Sequence, residues 1–138
     1  VEALIANGVV AVGEGANMPT TIEATDALRQ AGVLFAPGKA SNAGGVATSA
    51  LEMEQNACRT RWDFATADSR LTEIMADIHD SCVETAEYYG RPGDYVLGAN
   101  AAGFTRVADV MIAHGIVEAH ASDLTSGRSG SGMCLRRA

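Results

Sequence analysis

Two short runs in which every residue is apolar, residues 9–12 (VVAV) and 33–36 (VLFA), stand on either side of a segment that reads as a helix. Strand, helix and strand over about thirty residues make a βαβ unit, which requires parallel strands and a right-handed crossover. Because neither run alternates apolar with polar residues, both read as strands buried on both faces. Parallel strands of that kind occur inside larger sheets covered by helices, and two of them alone would leave edges and apolar faces bare. The expectation is therefore the carboxyl-terminal portion of a larger α/β protein.

The rest of the chain supplies helices. Residues 1–8 read as a helix end stopped by Gly8. The crossover helix is opened by Thr20 with Glu23 three residues on, a capping box, and closed by Gly32, with Ile22, Ala27 and Leu28 as its apolar positions. After the loop PGKASNAGG comes a helical stretch over 43–59, then a polar break (RTRWDFATAD). The longest helix is predicted to be capped by Asp68 or Ser69 and to run towards Tyr88. Leu71, Ile74, Met75, Ile78 and Cys82 form its apolar stripe, and Glu73, Asp77, Asp80, Glu84 and Glu87 its solvated face. RPGD is a turn. A last helix is predicted over 100–114, with Phe104, Val107, Ala108 and Met111 on one face and Gly115 ending it. The organisation expected is thus a βαβ unit followed by three helices. Residues 118–138, rich in Ser, Gly and Arg, read as a flexible tail.

Composition narrows the function. Ten basic against seventeen acidic residues give a net charge of -7, which argues against nucleic acid, since phosphate binding needs a basic face. No apolar run approaches the ~18 residues of a membrane helix. Cys58, Cys82 and Cys134 show no CxxC spacing, so neither a zinc site nor a disulfide framework is expected, and a reducing, cytoplasmic setting is the simplest. Cys58 and Cys82 read as small buried hydrophobes. His79 has no second ligand at metal spacing and reads as a surface histidine. No metal site and no Ser/His/Asp arrangement is expected.

In an open parallel sheet, ligands bind beyond the carboxyl ends of the strands. Residues 13–19 (GEGANMP) and 37–45 (PGKASNAGG) occupy those places, and both open on the same sheet edge. Each offers glycines, which permit close backbone approach, and an asparagine, which donates and accepts. Either loop alone has the composition of an ordinary turn; together they point to a small-molecule cleft. Asn42, Val46 and Ser49 fall at i, i+4 and i+7, on one helical face beside that cleft. The alternative is that Ser49 bonds its own helix backbone and Val46 belongs to the core. Lys39 could meet an anion or be an ordinary solvated lysine.

At these residues the sequence resembles a known family. GEGANMPTTIEAT, VLFAPGKASNAGGVATSALEMEQN, ADIHDSC and GANAAGFTRVADVMIAHGIV, in that order, closely resemble the carboxyl-terminal third of hexameric glutamate dehydrogenases, most of all the NADP-linked branch. The resemblance implies part of a Rossmann-like cofactor domain, with residues 1–59 the end of the dinucleotide-binding domain with the substrate-facing helix and 60–117 closing helices that pack on the domain hinge. It also implies that Gly15, Ala16 and Asn17 meet the nicotinamide end of NADP (NAD being possible), and that Asn42, Val46 and Ser49 line the glutamate pocket, with Ser49 on the side-chain carboxylate. The implied reaction is reversible oxidative deamination of L-glutamate to 2-oxoglutarate and ammonia by a homohexamer. The family's catalytic lysine and aspartate lie upstream of the matching stretch, so no catalytic residue is assigned here, and Lys39 is not that lysine. Two other readings stay open: a non-catalytic ligand-binding or interaction module derived from such a domain, and a dehydrogenase for an apolar amino acid.

Overall fold

The computed structural model describes residues 1–116; the tail expected over 118–138, with Cys134, lies outside them. The chain divides into two compact units, Val1–Thr105 and one that begins at Arg106.

The first unit starts with α1 (Glu2–Ala6), which ends as expected at Gly8, whose φ of +73° is the left-handed conformation that glycine adopts without strain. Strand β1 (Ala11–Gly13) and β2 (Leu34–Ala36) pair in parallel, Ala11 against Leu34, Val12 against Phe35 and Gly13 against Ala36. Between them runs α2 (Ile22–Gln30), closed by Gly32 at φ +75°. The βαβ unit is therefore real, and the architecture is a partial Rossmann-like α/β unit followed by helices. The cap differs from the sequence reading by one residue. Thr21, not Thr20, accepts the N–H of Ala24 at 3.2 Å, while the Thr20 N–H is taken by Glu14.

Burial corrects the expectation for the strands. Leu28, Val33 and Phe35 form a small buried cluster, flanked by Ile5, Val9, Val12 and Val96. Val10 is 82% exposed and Leu34 54%, so the two apolar runs are not buried on both faces. Ile22, counted with the apolar positions of α2, is exposed as well.

The segment read as the loop PGKASNAGG is already helical. Pro37 caps a single turn, α3 (Gly38–Ser41), and α4 (Ala43–Cys58) follows after Asn42. Cys58 is exposed on the last turn of α4, against the expectation of burial, whereas Cys82 is buried and burial pushes its thiol pKa up. The longest helix, α5 (Phe64–Tyr88), begins five or six residues earlier than a cap at Asp68 or Ser69 would place it. Its cap is Asp63, which accepts the Thr66 N–H at 2.9 Å. The stripe itself faces inward: Cys82 is buried and Leu71, Ile74, Met75 and Ile78 are half-buried, while the five acids of the opposite face are exposed. The Arg70 guanidinium lies 3.9 Å over the Trp62 ring, and Trp62 N–H donates to Gln55, which folds α5 back along α4.

Helix α6 (Tyr95–Ala113) also starts early, because Asp94 in the RPGD turn accepts the Leu97 N–H at 3.0 Å. Asp94 is further paired with Arg29 of α2 and Arg91. At Gly98, α6 meets α5 backbone to backbone: a Cβ there would stand 2.1 Å from the Cys82 carbonyl oxygen. By length and mean hydropathy (1.2), α6 could cross a membrane, although it is not a continuous apolar run. Asn100, Arg106 and Asp109 would then stand in hydrocarbon, which is costly. In the second unit the described residues are the end of α6 and its stop at Gly115, φ +68°; Val107, Val110, Ile112 and Ile116 are exposed there.

Candidate functional site

The carboxyl end of β1 leads into residues 14–20, and that of β2 into Pro37 and α3. Since the strands are parallel and in register, both exits lie side by side. What joins them is Glu14, a residue the sequence reading passed over. It is only 7% exposed, and its carboxylate oxygens accept from two segments at once: the Thr20 N–H at 3.1 Å and the Gly38 N–H at 2.6 Å. The Gly38 N–H chiefly holds its pKa below the usual value of 4.5; burial opposes this, and the bonds from Thr20 assist. The Glu14 carbonyl accepts the Ser41 hydroxyl at 2.6 Å. A Cβ at Gly38 would lie 2.4 Å from the carbonyl oxygen of Ala16, so glycine alone allows α3 to approach this loop.

Anchored at both ends, the loop lifts Gly15, Ala16 and Asn17 to the surface, all three exposed. Nothing lies within 4 Å of where a Cβ on Gly15 would stand, so the protein's own packing does not call for glycine there. Met18 follows with φ +50°, a left-handed conformation uncommon outside glycine and sustained only where the surroundings impose it.

The structure brings the two asparagines together: Asn42 Nδ2 donates to Asn17 Oδ1 at 3.0 Å. Asn42 sits at the junction of α3 and α4, and Val46 and Ser49 continue its face along α4. Val46 is 71% exposed and so is not core. Ser49 is exposed and its hydroxyl donates to the Gly45 carbonyl at 3.3 Å, the helix back-bond that was the alternative reading. That bond is long and weak, so an acceptor of higher charge can compete for the hydrogen. Lys39 belongs to α3 and donates to Asn100 Oδ1 on α6; it is exposed and does not point to an anion site of its own. His79 lies on the surface of α5 between Asp80 and the Tyr95 hydroxyl, at 3.1 and 3.2 Å. No cluster of three potential metal ligands occurs among the described residues.

What the geometry provides is two neighbouring surfaces beyond a parallel sheet edge, joined by the Asn17–Asn42 bond. One is an exposed backbone loop with an amide, the other a helix face that runs amide, methyls, hydroxyl.

Residues 1–115 match the family described as Glutamate/Leucine/Phenylalanine/Valine dehydrogenase. An NADP-specific glutamate dehydrogenase of Escherichia coli (strain K12) is 64% identical over 114 residues, which are 83% of this chain and 25% of that protein. That of Salmonella typhimurium is 63% identical over 117 residues, again 83% of this chain and 25% of the relative. A crystal structure of Plasmodium falciparum glutamate dehydrogenase superimposes with a TM-score of 0.79 at 44% identity, covering 82% of this chain and 24% of the other. The chain thus spans about a quarter of the length of the relatives it matches. Sequence and fold agree, and the chain belongs to the Glutamate/Leucine/Phenylalanine/Valine dehydrogenase family.

Proposed function

We propose that this chain is the part of an NADP-dependent glutamate dehydrogenase that meets the nicotinamide end of the cofactor and the side chain of the substrate. The observation that carries this is the 3.0 Å bond between Asn17 and Asn42. It draws the loop assigned to the cofactor and the helix assigned to the substrate into one site, as hydride transfer between two bound molecules requires.

The exposed loop fits the cofactor. Gly15 leaves open space over the backbone, and Asn17 supplies an amide that can pair with a carboxamide. When bound, the dinucleotide supplies the hydride acceptor. On the other wall, Asn42, Val46 and Ser49 offer a polar, aliphatic, polar sequence that matches glutamate. The Ser49 hydroxyl leaves the Gly45 carbonyl for the substrate carboxylate, exchanging a neutral bond for a charge-assisted one. An apolar amino acid gains nothing from that exchange, and this favours glutamate over the apolar substrates that the family name also covers. The acid–base lysine and aspartate belong to the remainder of the enzyme, and Lys39 keeps to Asn100. In this reading residues 1–59 end the dinucleotide domain and 60–117 close over its hinge in a cytoplasmic homohexamer that interconverts glutamate with 2-oxoglutarate and ammonia. NADP is preferred to NAD because the relatives at 64% and 63% identity are NADP-specific.

The test is Ser49→Ala in a complete enzyme carrying this segment. Losing a charge-assisted bond is expected to cost about 1.5–3 kcal/mol, or roughly ten- to a hundredfold in kcat/KM for glutamate. Activity with norvaline and the KM for NADP should stay within about threefold. An equal loss for both amino acids, or one confined to NADP, would remove Ser49 from the substrate pocket.

A further inference from the structure

We propose that Glu14 is a positioning residue: its carboxylate fastens the loop carrying Asn17 to the start of α3 and thereby sets the separation of cofactor and substrate. The inference rests on the site reading above and deepens it. Three contacts join residues 14–20 to 37–42: the Gly38 N–H on the Glu14 carboxylate, the Ser41 hydroxyl on the Glu14 carbonyl, and Asn42 on Asn17. The first two run through Glu14, and its carboxylate also accepts the Thr20 N–H, which closes residues 14–20 into a loop on the same anchor.

The choice of a carboxylate is informative. Closing a turn needs only one acceptor, which a serine or asparagine supplies, and burying a charge is costly unless it is well bonded. A carboxylate has two oxygens that both accept and neither donates, so it can hold two N–H groups from separate segments without regard to which way it is turned. Glutamine has the same shape but one acceptor; its NH2 would face an N–H whichever way it lay. Glu14→Gln therefore releases one of the two segments while leaving the core of Leu28, Val33 and Phe35 untouched. Hydride transfer is sensitive to such a release, because a displacement near 1 Å can cost on the order of a hundredfold in rate.

The experiment uses a complete dehydrogenase carrying this segment, with Glu14→Gln, Glu14→Asp and Ser41→Ala. For Glu14→Gln we expect kcat to fall roughly ten- to a hundredfold, with the NADP dissociation constant within about threefold of wild type. The primary isotope effect on kcat with α-deuterated glutamate should rise, because misalignment slows the hydride step itself. A residue that merely stabilised the fold would lower the unfolding midpoint without raising that isotope effect. Glu14→Asp keeps the charge and should recover part of the rate. Ser41→Ala leaves both bonds to the Glu14 carboxylate in place and should show a smaller fall with the same rise in isotope effect, so it carries the test if Glu14→Gln does not fold. Unchanged kcat and isotope effect in a folded variant of either residue, beside Asn17→Ala and Ser49→Ala variants that weaken cofactor and glutamate as assigned, would overturn this inference alone. Silent Asn17 and Ser49 variants would overturn both it and the reading on which it rests.

Discussion

The two walls of the proposed site are built on opposite plans. At the strand exits, Glu14, Gly38 and Ser41 are buried or half-buried, and their polar atoms are bonded to one another across the gap between two segments. Along α4, Asn42, Val46 and Ser49 stand half-buried or exposed. There the Ser49 hydroxyl has no better partner than its own helix. The first wall is spent on holding its shape, and the second keeps its chemistry available. A site that must bring two molecules together needs both, and here they fall on different residues, so substitutions can separate them.

Gly38→Ala should strike the first wall hardest. Its Cβ would stand 2.4 Å from the Ala16 carbonyl oxygen, and backbone must move to admit it. We expect a loss of about 1–3 kcal/mol in denaturant unfolding, with faster amide exchange confined to residues 14–20 and 37–42. Wild-type stability in that variant would mean the two segments are not packed as described.

Acid should loosen the same wall. The native Glu14 pKa lies below its ordinary value of 4.5, so the unfolded chain binds this proton more readily than the folded one. Its stabilisation is complete above the unfolded value and is lost as the pH falls through the native one. In Glu14→Gln the decline of stability between neutral pH and pH 4.5 and below should be shallower than in wild type. Parallel pH–stability curves for the two proteins would contradict the carboxylate's role.

On the second wall, Ser49→Ala should leave the unfolding midpoint nearly unchanged, within about 0.5 kcal/mol, because an exposed back-bond contributes little and alanine favours a helix. A large destabilisation would make Ser49 a structural residue and erase the contrast.

Much of this was legible in the sequence. Gly8 and Gly32 stop their helices where expected, the parallel pair forms, and the α5 stripe from Leu71 to Cys82 turns inward. These signals are repetitive or conformationally exclusive. The helix starts were not legible from periodicity, since the first turns at Phe64 and Tyr95 precede the repeating apolar positions. The signal that could have found them was an aspartate cap, Asp63 or Asp94. Pro37 and Gly38 read as a turn because the single turn of α3 is too short to show a period. Val10 and Leu34 were read as buried because an apolar run states a preference for cover without saying which element provides it. Glu14 was missed for a related reason. An acid between glycines looks solvated, and only the parallel register reveals that it faces Gly38. For the site, the grouping of Asn17 with Asn42 followed from topology, whereas the rest of the Glu14 fastening depended on contacts that spacing does not encode.

The bond between the two asparagines also gives the cleft a polarity. A primary amide has unlike ends, and with the Asn17 oxygen turned to Asn42, the Asn17 nitrogen keeps both its N–H groups to donate. Asn42 conversely keeps its oxygen. The pair therefore shows a hydrogen-bond donor above the β1 loop and an acceptor above the start of α4. A carboxamide, which carries one group of each kind, matches the pair.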